Sequence, residues 1–97
     1  MIVLSKLLGT YPSTRKSVDE LFKKINSMKA KNIIIDFNNV FGITHSFAAQ
    51  YIYNKNNCTK SIKEINKNEN VNSMFNVIGK HKKIELEKNI PIEDFTL

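Results

Sequence analysis

The groups in this chain that could do chemistry are one thiol, two imidazoles, and a few carboxylates and hydroxyls gathered around one loop. Cys58 is the sole cysteine, so it has no partner for an internal disulfide. It lies in the polar stretch Asn54 to Lys60, where an ordinary loop or strand-edge position is the simplest role. His45 and His81 stand too far apart to supply a zinc set, and His45 is a lone imidazole without a catalytic partner near it in the sequence. Asp36 ends an apolar run, a place where parallel sheets often carry functional acids, although its habit of accepting backbone hydrogen bonds from the following loop gives it a structural role. Thr44 and Ser46 have the side chains of helix N-caps. No glycine-rich phosphate loop, paired-carboxylate motif or nucleophile with its base is present, so neither catalysis, a cofactor nor a metal is expected.

The elements that must position these groups follow from hydrophobic spacing. Ile2, Val3 and Leu4 predict a short strand, extendable to Leu8, and Gly9 to Pro12 a turn. Between Ser13 and Met28 the apolar residues Val18, Leu21, Phe22, Ile25 and Met28 recur at helical spacing, with Lys23, Lys24 and Asn26 opposite them. Ser13 or Thr14 could cap this helix, and Ser17 with Glu20 also fits a capping box. Ile33, Ile34 and Ile35 stand in unbroken succession within Asn32 to Phe37, which predicts a central parallel strand buried on both faces.

A connection from Asn38 to Ile43 follows, in which Gly42 is expected to permit the turn. A second helix is expected from about Ser46 to Lys55, with Phe47, Ala48, Tyr51 and Ile52 on one face. Asn54 to Lys60 punctuates the chain, and Ser61 to Asn66 is a third candidate strand. Lys67 to Asn70 supplies a turn and caps, and a third helix is expected from about Glu69 to Ile78 with Gly79 as its C-cap. Ile84 and Leu86, alternating with Glu85 and Glu87, have an edge-strand pattern, and the tail around Pro91 is expected to be irregular. Alternating strands and helices make this an α/β chain: a small, mainly parallel or mixed sheet of three to four strands flanked by about three helices.

Ninety-seven residues suit a single domain, 1–97, and its 41% hydrophobic and 25% charged content is that of a globular protein. The lone cysteine and the lack of a long apolar run or leader pattern make a reducing cytoplasm the expected setting, without export or membrane insertion. Fifteen Lys and Arg against nine Asp and Glu give a charge of +6, which attracts polyanions or acidic protein surfaces. The basic residues are almost all Lys, spread along the chain among many Asn and Ile, as an AT-rich genome produces without selection for a ligand. Of Phe37, Phe41, Phe47, Tyr51 and Tyr53, an apparent aromatic set, at least Phe37 and Phe47 are expected in the core.

The string Ile35-Asp36-Phe37-Asn38-Asn39-Val40-Phe41-Gly42-Ile43-Thr44-His45-Ser46-Phe47-Ala48 resembles the signature of the STAS-like domain family of unknown function: a hydrophobic strand ending in Asp-Phe, a Val three residues on, and a Ser-Phe-Ala opening the next helix. Arg15 resembles that family's Ser-Arg position, and Asn70, Val71 and Met74 resemble its third helix. The likeness runs from about Leu7 to Ile78, and Ala49 and Gln50 stand where members often carry Asp and Glu. STAS-like domains are similar to the anti-sigma factor antagonists, small α/β modules that bind a histidine-kinase-like ATPase and are switched off when it phosphorylates a Ser at the start of the second helix. The resemblance therefore implies a non-enzymatic regulatory module with Ser46, or Thr44 beside it, as the phosphorylation candidate. Arg15, Asp36, His45 and Gln50 are the partner-binding candidates, and the oligomeric state stays open. The competing reading is a small basic nucleic-acid-binding protein, motivated by the charge and by Lys80-His81-Lys82-Lys83, although no helix-turn-helix, RNA-binding aromatic motif or zinc finger accompanies them.

Overall fold

Three short segments pair as parallel strands, and the helical segments between them form the crossovers. The computed structural model describes residues 1–89, the side chains of 1–79 among them. In chain order the elements are β1 (Ile2–Val3), α1 (Leu4–Leu8), α2 (Arg15–Ser27), β2 (Asn32–Asp36), α3 (His45–Asn56), β3 (Ser61–Ile65) and α4 (Glu69–Asn89). The strands lie in the order β1-β2-β3. Ile2 pairs with Ile35, and Ile33, Ile34 and Ile35 pair with Ile62, Lys63 and Glu64. The chain is thus α/β with an all-parallel sheet, as the alternation of strand and helix requires.

β2 is the central strand, but it is buried on one face only. Ile33 and Ile35 are 3% and 0% exposed, whereas Ile34 between them is 39% exposed. Successive side chains on a strand point to opposite faces. The buried side chains of α2 (Val18, Leu21, Phe22, Ile25), α3 (Phe47, Ala48, Tyr51) and α4 (Val71, Ile78) join one cluster with Ile33 and Ile35. The helices therefore share the inner face, and Ile34 and its neighbour Lys63 face outward. Three β-branched residues in a row fit a pleated, half-buried surface as well as a fully covered one, which leaves the coverage of the second face unspecified.

The core centres on Tyr51, whose ring lies 5.4 Å from that of Phe22, 6.1 Å from Phe37 and 5.1 Å from Phe75. Phe37 and Phe47 are buried, as their core role demands, while Phe41 and Tyr53 are exposed. Each fully buried side chain of this size contributes about 1.5–3 kcal/mol of hydrophobic stabilisation.

Several boundaries differ from the sequence expectation for identifiable reasons. Leu4–Leu8 is a short helix, not a strand extension; Leu4 is buried and Leu8, one turn later, packs against the same core. Gly9 ends this helix at φ 85°, a left-handed conformation natural to glycine. Thr14 caps α2 by accepting a hydrogen bond from the Ser17 backbone N–H at 3.1 Å, so Ser17 lies inside the helix and does not begin it. The first half of the polar stretch Asn54 to Lys60 is the last turn of α3. Gly79 lies within α4, which passes through Ile84 to Glu87 and reaches Asn89, so no edge strand forms there. From Lys80 onward Lys, Leu and Glu are strong helix formers, and no proline intervenes before Pro91. The irregular tail expected around Pro91 lies outside the described residues.

Candidate functional site

Three helices begin beside one another at the end of the sheet where the strands terminate, and the loop from Asn38 to Thr44 lies among them. Asp36 starts this loop: its carboxylate accepts hydrogen bonds from the Asn38 backbone N–H and the Asn66 side chain, both at 2.9 Å. The Asn66 side chain and then the Asn38 N–H hold the Asp36 carboxyl below its ordinary range. Asp36 thus organises the turn. The turn itself uses Asn39, at φ 66°, one of the few non-glycine residues that tolerate this conformation. Gly42 does not make the turn; it lets the Tyr11 ring approach, since a Cβ there would sit 3.2 Å from Tyr11 Cε1.

The loop is fastened on two sides. The Phe41 N–H donates to the Thr10 carbonyl at 2.9 Å and the Thr44 N–H to the Pro12 carbonyl at 3.4 Å. On the other side Asn68, just before α4, donates to the carbonyls of Val40 and Phe41, while its own side-chain oxygen accepts from the Val71 N–H and caps that helix. The result is a held surface carrying Tyr11 and Phe41, 68% and 49% exposed, with their rings 6.0 Å apart. Sequence reading missed this pair because the two residues come from different loops and neither falls in a periodic pattern.

Of the two hydroxyls, Thr44 is the N-cap of α3 and Ser46 is not. Thr44 Oγ1 accepts from the Phe47 N–H at 3.1 Å and donates to the Ser13 carbonyl at 2.8 Å, so both of its hydrogen-bonding functions are used. Ser46 is the second residue of α3, exposed, and its hydroxyl makes no hydrogen bond to the described residues. The expectation of Ser46 as a cap of this helix is corrected accordingly: the helix starts one residue earlier, at His45. Through the Thr44 bond to Ser13 the starts of α2 and α3 are tied together, which brings Arg15, the first residue of α2, into the neighbourhood of His45 and Ser46. Arg15 and His45 are exposed, and neither helix has an acidic residue in its first turn.

Gln50 belongs elsewhere. Its side chain donates to Asp19 at 2.8 Å, and Asn54 donates to the same oxygen at 2.9 Å. These bonds, Asn54 first and Gln50 second, hold the Asp19 carboxyl below its usual range. Gln50 is therefore a tie between α2 and α3, and an amide is the suitable group for donating to Asp19.

A second polar cluster lies on the inner face of the sheet. The Tyr51 hydroxyl donates to Glu64 Oε2 at 2.8 Å, and Lys55 reaches the same oxygen at 2.8 Å with Lys67 3.5 Å from Oε1. Burial, reinforced by the Glu64 charge, drives the Tyr51 phenol far above its ordinary range, so it remains a neutral donor. Burial alone would raise the Glu64 carboxyl, but hydrogen bonds from Lys55 and Tyr51 and the two lysine charges outweigh it and hold the group below 4.5. This cluster adjoins a cleft of about 120 Å³ shared with Ile52 and Phe75. Its groups satisfy one another, the pattern of a structural network in a polar breach of the core.

Among the described residues no group of three His, Cys, Asp or Glu could hold a metal ion, and no helix is long and apolar enough to cross a membrane. Cys58 is a half-buried free thiol in the loop before β3. No protein-family model, curated protein or solved structure matches this chain.

Proposed function

We propose that this chain is a non-enzymatic, protein-binding regulatory module of the STAS-like kind, switched by phosphorylation of Ser46 by a histidine-kinase-like ATPase partner. The reading is carried by one observation: the exposed Ser46 hydroxyl in the first turn of α3, left unbonded because Thr44 does the capping. A kinase can reach this hydroxyl without unwinding the helix, whereas modification of Thr44 would remove the cap. That difference favours Ser46 over Thr44.

Physical chemistry supports the switch. The first turn of a helix has unpaired N–H groups and a partial positive charge, so a phosphate on Ser46 is stabilised where it forms. Arg15 and His45 nearby add no negative charge to oppose it. The fold is kept while about two negative charges appear on the surface. A partner bound over Ser46, with Tyr11 and Phe41 as apolar anchors, would then have to bury those charges or release the module. Exposed aromatic side chains are the residue type that most often dominates such interfaces.

The test is to mix the purified chain, ATP and a histidine-kinase-like ATPase encoded beside it, and to locate phosphate by peptide mass spectrometry. Phosphate on Ser46 with release from a complex is the expected result. No complex with the ATPase, or phosphate confined to Thr44, would reject the reading.

A further inference from the structure

A groove of about 370 Å³ runs along the edge of β1, far along α2 from Arg15 and Ser46. It is lined by the apolar residues Met1, Ile2, Val3, Leu7 and Met28 and by two cations, Lys6 from α1 and Lys24 from α2. Four features converge here. First, β1 pairs with β2 on one side alone, so its outer edge has no strand beside it among the described residues. A free strand edge offers backbone hydrogen bonds to an incoming extended chain. Second, Met1 and Leu7 are 73% and 42% exposed, apolar surface left in water next to that edge. Two of the apolar residues are methionines, whose unbranched side chains adapt to varied partners. Third, neither the Lys6 nor the Lys24 ammonium has an ion pair or hydrogen bond to any described residue. Fourth, no acidic residue lines the groove among the described residues.

We propose that this groove binds an extended segment of a partner protein in which apolar residues alternate with acidic ones. Alternation follows from strand geometry: one side chain of each pair turns into the apolar wall while the next turns out toward a lysine. Covering two lysines without supplying carboxylates would leave desolvated charge unpaired, which selects for an acidic segment. The same argument disfavours two copies of this chain pairing groove to groove, because each brings the same two lysines to that face. The groove is independent of the Ser46 switch, and either assignment can fail without the other.

The test is a selection of random twelve-residue phage-displayed peptides on the full chain, followed by fluorescence anisotropy with the enriched peptides. Enriched peptides are expected to alternate Glu or Asp with aliphatic residues. Their affinity should fall about tenfold or more in a Lys6→Glu/Lys24→Glu variant, the response of an interface guided by charge, and should also fall in Leu7→Ser. Both lysines are exposed, and an unchanged circular dichroism melt will show that the double variant is folded. Absence of enrichment, enriched peptides without acids, affinity unaltered by the double charge reversal, or a hydrogen-exchange footprint at Tyr11 and Phe41 instead would each overturn the proposal. So would concentration-dependent dimers in sedimentation that Leu7→Ser dissolves, since the groove would then be filled by a second copy.

Discussion

Replacing Tyr51 with Phe isolates the one polar contact made by the central side chain of the core. The ring packing with Phe22, Phe37 and Phe75 is retained, and what is lost is the 2.8 Å hydrogen bond to Glu64. That carboxylate is only 10% exposed and accepts from Lys55 as well, so the bond is charge-assisted and well shielded. Such bonds contribute about 1.5–3 kcal/mol. In a chain of this size that is a fall in Tm of about 6–24 °C. The pH dependence gives a sharper check. The folded-state Glu64 carboxyl titrates below its unfolded value of 4.5, so its contribution is fully present above that value and is lost as pH falls through the lower folded one. Thermal melts of wild type, Tyr51→Phe, Glu64→Gln and the double variant should therefore show a penalty for Tyr51→Phe that is largest near about pH 7 and shrinks toward about pH 3. In the Glu64→Gln background the same substitution should be markedly less damaging. A Tm unchanged at neutral pH, or a penalty independent of both pH and Glu64, would refute the network.

Two further outcomes test the loop and the helix it enters. Thr44→Ala should lower stability by about 1 kcal/mol through loss of the α3 cap, while Ser46→Ala should change it by no more than about 0.5 kcal/mol; the reverse order in urea titrations would mean that Ser46 is the cap after all. At Asn39, with its φ of 66°, Gly should be neutral or stabilising and Ala destabilising by about 1 kcal/mol, and equal melting temperatures for the two variants would show that the turn is not held in that conformation.

What could be read from the residues was what depends on local spacing. Val18, Leu21, Phe22 and Ile25 identify α2 because a helix stacks such positions on one face, and all four are buried. Asp36, Gly42 and Thr44 were recognisable as belonging to one connection. Asp36 accepts from the loop backbone as expected, and of the two cap candidates Thr44 is the one that caps. The role of Gly42 differs, because which residue turns and which admits a neighbouring ring depends on Tyr11, distant in sequence. The open outer face of β2 was hidden for a related reason: an apolar triplet looks the same whether helices cover one face of its sheet or two. Glu64 was passed over because its partners, Tyr51 and Lys55, lie in another element, and nothing local distinguishes it from a surface acid on a strand. The proposed switch was reachable only through resemblance. What the coordinates add to it is a division of labour between two hydroxyls that the sequence leaves equivalent.

The proposal stands most directly on the affinity of this chain for a histidine-kinase-like ATPase, measured by isothermal titration calorimetry with wild type, Ser46→Ala and Ser46→Glu. Wild type and Ser46→Ala should bind alike, and Ser46→Glu should bind at least about tenfold more weakly, the effect of one added charge at a desolvated contact. Equal binding by all three, or weakening by Ser46→Ala alone, would contradict a negative-charge switch at Ser46.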